Sequence, residues 1–125
     1  MGNIASRFES DLLSEITVLA EKSGDYYIFI YALKEYLNFK LTSSSKAQID
    51  SRLTEWLFKR SETTFEGESI YQLIAECVGK IAYLSINQIP LIVKFAQSQV
   101  ENHRFVLANS LRFYFDRKSK ETIQD

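Results

Sequence analysis

Apolar residues recur at helical spacing through almost the whole chain. Ile4, Phe8, Leu12, Ile16 and Leu19 stand three or four residues apart, so they share one face of a first helix. Ser6 and Glu9 have capping-box spacing, and Asn3 offers a cap one turn earlier. Ser23-Gly24 ends this helix, because glycine enters the left-handed conformation that helix termini favour, and Asp25 caps the next. Tyr26 to Leu41 is the most hydrophobic segment, with only a narrow polar strip at Lys34, Glu35 and Asn38. A helix apolar around most of its girth is either central or offers a second face to a partner. Its opening YYIFIY has strand composition, but the run is too long for an ordinary strand and Ala32-Leu33-Lys34-Glu35 favour helix.

Thr42-Ser43-Ser44-Ser45 reads as a loop. Ser45 and Gln48 have capping-box spacing ahead of a third helix built on Ile49, Leu53, Trp56 and Leu57, which closes near the cations Lys59 and Arg60. Ser61 to Glu68 is acidic and irregular, with an expected mobile tip. Ser69 and Gln72 are spaced to cap a fourth helix, whose stripe of Ile70, Leu73, Ile74, Cys77, Val78, Ile81 and Ala82 places Cys77 in the core. Asn87 can cap a fifth helix with Pro90 in its first turn, and Ile89, Ile92, Val93, Ala96 and Val100 on its inner face. The pattern beyond fits either a break at Asn102-His103 or one helix running on through Phe105, Leu107, Leu111 and Tyr114 to about Lys118. Lys120–Asp125 lacks apolar weight and is expected to fray. The fold expected is all-α: one domain over 1–125, a bundle of five or six helices.

Composition narrows the chemistry. The chain has 125 residues, 46% hydrophobic and 25% charged, which suits one globular domain and excludes a disordered tail or a disulfide framework. No apolar run approaches the roughly 18 residues of a membrane span, no secretory signal is evident, and the lone Cys77 fits a reducing, cytoplasmic setting. The motifs of catalysis are missing. His103 is the single histidine, without ligands at metal spacing, and is expected half-exposed near a helix end. The four glycines are scattered rather than gathered in a phosphate loop, and Glu66 and Glu68 sit in a polar loop. A non-enzymatic role with no metal and no cofactor is therefore expected.

Charge points to binding instead. Residues 1–76 carry eight Lys/Arg against twelve Asp/Glu, a net of −4, whereas residues 77–120 carry seven against two, a net of +5. Such asymmetry suits a polyanionic partner, or two halves that attract each other inside the fold. Lys94, Arg104, Arg112, Arg117, Lys118 and Lys120 are the candidate nucleic-acid contacts, with Phe105, Phe113, Tyr114 and Phe115 interleaved to stack on unpaired bases. Nine Phe, seven Tyr and one Trp are also a generous aromatic endowment for a bundle of this size. Tyr27, Tyr31 and Trp56 are candidate anchors for protein partners in a larger assembly or a homo-oligomer. The opening Met1-Gly2-Asn3-Ile4-Ala5-Ser6 fits N-myristoylation at Gly2, which would make the chain a peripheral membrane or adaptor protein. Glu9, Asp11, Glu15 and Glu21 oppose that alternative, because anionic lipid repels them.

Through its size, its all-α pattern and the basic segment KFAQSQVENHRFVLANSLRFYFDRKSK, the chain resembles the small helical subunits of CRISPR Cascade-type effector complexes. The resemblance implies a non-catalytic role in antiviral defence: stabilising an RNA-guided complex and holding a nucleic-acid strand through Lys/Arg contacts.

Overall fold

Local chemistry sets each helix end, and packing follows from the face each helix must hide. The computed structural model describes the backbone of residues 3–43 and 49–123 and the side chains of 13–43 and 49–120. These residues form α1 (Asn3–Ser23), α2 (Tyr26–Ser43), α3 (Ser51–Arg60), α4 (Ser69–Leu84), α5 (Ile89–Gln97) and α6 (Glu101–Ile123), with a 3-10 turn at Ile86–Gln88. The all-α bundle expected from periodicity is what forms.

The α1–α2 junction follows the sequence reading. Gly24 takes a φ of 73° with open space around the position of a Cβ, so conformation rather than room selects glycine there. Its N–H donates to the Ala20 carbonyl at 2.9 Å, and Asp25 accepts the Ile28 N–H at 3.4 Å. Three later caps differ from expectation. The α3 cap is Asp50, which accepts the Arg52 N–H at 2.9 Å; the proposed pair Ser45 and Gln48 lies outside the described residues. Glu68 occupies the α4 cap without a side-chain bond, and Ser69 is already helical, so the spacing of Ser69 and Gln72 forms no capping box. Asn87 falls inside the 3-10 turn, and the residue at the α5 cap is Gln88. Its side chain is turned inward instead, accepting from Thr54 Oγ1 at 2.9 Å and donating to the Ile49 carbonyl at 3.1 Å.

The first part of the Ser61–Glu68 connection is held by Tyr71, and Glu66, Gly67 and Glu68 at its tip are exposed. Tyr71 Oη donates to the Thr63 carbonyl at 2.7 Å and accepts the Phe65 N–H at 2.8 Å. The Phe65 ring wedges edge-on between Tyr26 and Tyr71, at 5.7 and 5.5 Å. Between α5 and α6 the chain does break, a turn before the expected Asn102-His103. Ser98 is extended, with φ −75° and ψ 145°, and its Oγ accepts the Val100 N–H at 3.0 Å.

His103 corrects the sequence reading. It is 1% exposed, not half-exposed, and stacks on Phe58 at 4.0 Å with Phe95 edge-on at 5.5 Å. Nε2 meets the Phe58 carbonyl at 2.8 Å while Nδ1 meets Ser98 Oγ. A carbonyl only accepts, so Nε2 donates to Phe58. The histidine thus joins the start of α6 to α3 rather than marking a helix end in solvent.

At the centre is α4, buried along Ile74, Ala75, Cys77, Val78 and Ile81, with α2 against one side and α6 against another. Ile30, Leu33, Leu37 and Leu41 are the inward row of α2. Cys77 is a core residue as expected. Burial pushes its thiol up to about 12, and Sγ lies 3.8 Å from the Ile30 carbonyl. α4 and α6 approach closely at Gly79, where an added Cβ would collide with the Ser110 carbonyl and stand 2.9 Å from Phe113 Cβ.

Candidate nucleic-acid interface

On an ideal helix each residue turns about 100° and rises about 1.5 Å. That arithmetic splits the basic residues of α6. His103, Val106 and Ser110 are buried and define its inner side. Arg104, Ala108, Leu111, Arg112 and Phe115 fall on the outer side, all exposed, along a row about 17 Å long. Arg104 and Arg112 meet no carboxylate within ion-pair distance among the described residues, and Leu111 and Phe115 stand in water between the cations, Phe115 at 61% exposure. Of the four aromatics expected to interleave with the cations, Phe115 alone is open. Phe105 and Phe113 are half-buried, and Tyr114 packs edge-on against Tyr83 at 6.3 Å.

The remaining cations correct the picture of one collected surface. Arg117 lies on the inner side of α6 over the Tyr83 ring at 5.7 Å, with Nε closed off from solvent and unpartnered among the described residues. Lys120 pairs with Asp116 at 3.3 Å. Lys118 is exposed on the flank of α6 and reaches the Tyr83 ring at 5.6 Å. Lys94 is exposed on α5, a different helix. The structure therefore brings Arg104 and Arg112 to one face and sets Arg117, Lys118, Lys120 and Lys94 apart from it.

A cleft runs over α4 between α2 and α6. One end, about 340 Å³, is lined by Tyr27, Gln72, Glu76, Asn109, Arg112 and Phe113; the other, about 280 Å³, by Asn38, Glu76, Lys80, Asp116, Arg117 and Lys120. Its floor holds an ionic cluster that sequence reasoning missed, although Glu76 and Lys80 have the i,i+4 spacing that signals a helical pair. Lys80 Nζ donates to both Glu76 and Asn38 with its side chain only 10% exposed. Lys34 stands over the Tyr31 ring at 4.1 Å and pairs with Glu35 at 3.4 Å. Burial pulls its ammonium down, but Glu76, Tyr31 and Glu35 together carry it above the usual lysine value. The floor of the cleft has its opposite charges matched to each other, whereas Arg112 at its rim has no carboxylate partner among the described residues.

The aromatic anchors divide as well. Tyr27 and Tyr31 are exposed and stacked on one another, centroids 6.5 Å apart. Trp56, expected at an interface, is instead engaged within the chain: Nε1 donates to Glu21 at 2.9 Å and the ring tilts against Tyr26 at 6.4 Å. Gly2 lies outside the described residues. Among those residues no group of three His, Cys, Asp or Glu converges as metal ligands, and no helix is long and apolar enough to cross a membrane. Comparison with protein families, with curated proteins and with solved structures finds no match.

Proposed function

We propose that this chain is a non-catalytic helical subunit that lays the outer row of α6 along a nucleic-acid strand. The observation that carries the reading is the pair Arg104 and Arg112, exposed on one helix face without carboxylate partners among the described residues, and with Phe115 open beside them. Guanidinium groups bind phosphate bidentately and indifferently to base, whereas an exposed phenyl ring stacks on an unpaired base for about 1–3 kcal/mol. The row therefore suits single strands over duplex. A role of this kind is what the resemblance to small CRISPR effector subunits implies, with protein neighbours completing the grip.

Fluorescence anisotropy with single- and double-stranded DNA and RNA over a salt series tests it. On a single strand, two or three phosphate contacts give a slope of log K against log salt of about −1.4 to −2.1, which weakens binding by about 7- to 18-fold between 50 and 200 mM salt. Arg104→Gln with Arg112→Gln should flatten that slope by about 1.4, and Phe115→Leu should remove the preference for single strands. Absence of binding at low salt, a slope near zero, or equal slopes for wild type and the double variant overturns the proposal. Anionic vesicles form the comparison arm, and capture by vesicles without capture by nucleic acid reassigns the row to a membrane surface.

A further inference from the structure

One end of the cleft over α4 has chemistry that contact with phosphates leaves unused. It encloses about 340 Å³, within the range of small-molecule sites. The Tyr27 ring, 46% exposed, stands on its α2 side, and Phe113, half-buried, on its α6 side. Between them α4 presents Gln72 and Glu76, one helical turn apart on the same face. Arg112 is exposed at the rim, its guanidinium carbon 6.0 Å from the Phe113 ring. We infer that this end of the cleft takes a guanine base, stacked on Tyr27, with the phosphate of that nucleotide on Arg112. The inference rests on the strand-binding reading, because Arg112 belongs to the row proposed to hold the strand.

Charge selects the kind of occupant. Glu76 on the floor repels an anion, and Arg112 at the rim repels a cation. A neutral planar group seated inside, with its negative charge left at the rim, satisfies both. Hydrogen bonding then selects the base. A carboxylate only accepts, whereas an amide both donates and accepts. Lys80 donates to Glu76 Oε2, which holds the carboxylate in place and leaves Oε1 for a second donor. The Gln72 side-chain amide has no hydrogen-bond partner among the described residues. Guanine is the one base whose Watson–Crick edge sets an acceptor, O6, beside two donors, N1–H and N2–H. Gln72 donates to the acceptor and Glu76 accepts from the donors. Adenine and cytosine would turn a ring-nitrogen lone pair toward the carboxylate, and thymine or uracil would turn O2 toward it, which repels.

Fluorescence anisotropy of the full chain compares an oligothymidine strand with the same strand carrying one central guanine, hypoxanthine or adenine. Guanine should tighten binding about tenfold, as a hydrogen bond to a charged group does, and hypoxanthine, which lacks only the N2 amine, should lose most of that gain. Gln72→Leu should abolish the guanine preference, and Tyr27→Ala should weaken the guanine strand at least about fivefold. Both side chains are exposed, so circular dichroism should be unchanged and the salt slope should stay as in the wild type. Arg104→Gln should do the reverse, flattening the slope and keeping the preference. Guanosine monophosphate alone should shift the Gln72 side-chain amide signal in heteronuclear NMR spectra where adenosine monophosphate does not. Salt-dependent binding without preference for guanine overturns the inference and leaves the strand-binding reading standing. So does a preference that survives both Gln72→Leu and Tyr27→Ala. Amide shifts with guanosine monophosphate but no bound strand keep the pocket and overturn the strand-binding role, and neither shifts nor strand binding overturns both.

Discussion

Gly79→Ala is the sharpest probe of how this bundle holds its outer row in place. Gly79 sits in mid-helix without the positive φ of Gly24, so the usual expectation is that alanine stabilises it by about 0.8–1 kcal/mol through helix propensity. Here the added methyl group would collide with the backbone carbonyl of Ser110 and stand 2.9 Å from Phe113 Cβ. Carbon and oxygen settle at about 3.3 Å or more, so α6 would have to recede by close to 1 Å. A gap of that size forfeits about a quarter to a half of the dispersion energy of each facing atom pair. The α4–α6 contact is the most extensive in the fold, and neither obstructing atom is the free end of a flexible side chain. Overpacking of this kind costs about 1–3 kcal/mol, or more where backbone must move. We expect the clash to outweigh the propensity gain, with Gly79→Ala losing about 1–2 kcal/mol net and its Tm falling by about 4–8 °C. Urea titration of wild type, Gly79→Ala and Gly79→Ser measures it, the serine variant losing more. An alanine variant as stable as the wild type would refute the claim that close approach, rather than chance, placed glycine there.

Other expectations test the polar interior. Glu76→Gln removes the carboxylate that faces both Lys80 and Lys34, and should destabilise the fold by about 1–3 kcal/mol in denaturant titration, a buried-pair figure reduced for the partial exposure of Glu76. Thr54→Val leaves the Gln88 amide oxygen buried without its donor, which should cost about 1–3 kcal/mol, whereas Gln88→Glu at neutral pH should cost more. The Cys77 thiol should react with a thiol reagent at pH 8 only at the rate of unfolding, so labelling should accelerate as urea is added. Its raised value also has a sign in pH. The unfolded thiol ionises near 9 while the folded one waits until about 12, so stability is complete below pH 9 and declines above it. A Cys77→Ala variant should lose that part of the alkaline decline, as stability measured at pH 7 and pH 10 would show.

The helices of this protein were legible one residue at a time. A 3.6-residue repeat records which side of a segment must leave water, and it needs no partner to be read. The burial of Cys77 follows from that repeat, and the α1–α2 turn follows from Gly24 and Asp25 acting on their immediate neighbours, whereas α2, apolar around most of its girth, did not show which row would turn inward. Capping spacings were less informative, because a side chain that can cap can also be recruited elsewhere. Gln88 shows this, since it occupies the α5 cap while its amide serves Thr54 and Ile49 from a distant part of the chain.

The candidate surfaces show the same division. Their residue types stand in the sequence, as the net of +5 over residues 77–120 shows, but their grouping does not. Helical rotation alone places Arg104 and Arg112 on one side of α6 and turns Arg117 to the other. Only packing decides which side faces water, and it fills the inner side with His103, Val106 and Ser110. His103 offered no local sign of burial; its cavity is made by Phe58 and Phe95, which α3 and α5 bring from 45 and 8 residues away along the chain. Trp56 was as plausible an interface anchor as Tyr27 until Glu21 and Tyr26 proved to be its neighbours. Periodicity is a one-dimensional property and survives in the order of residues. Exposure depends on what else arrives at the same place, and that is settled only when the helices pack around α4.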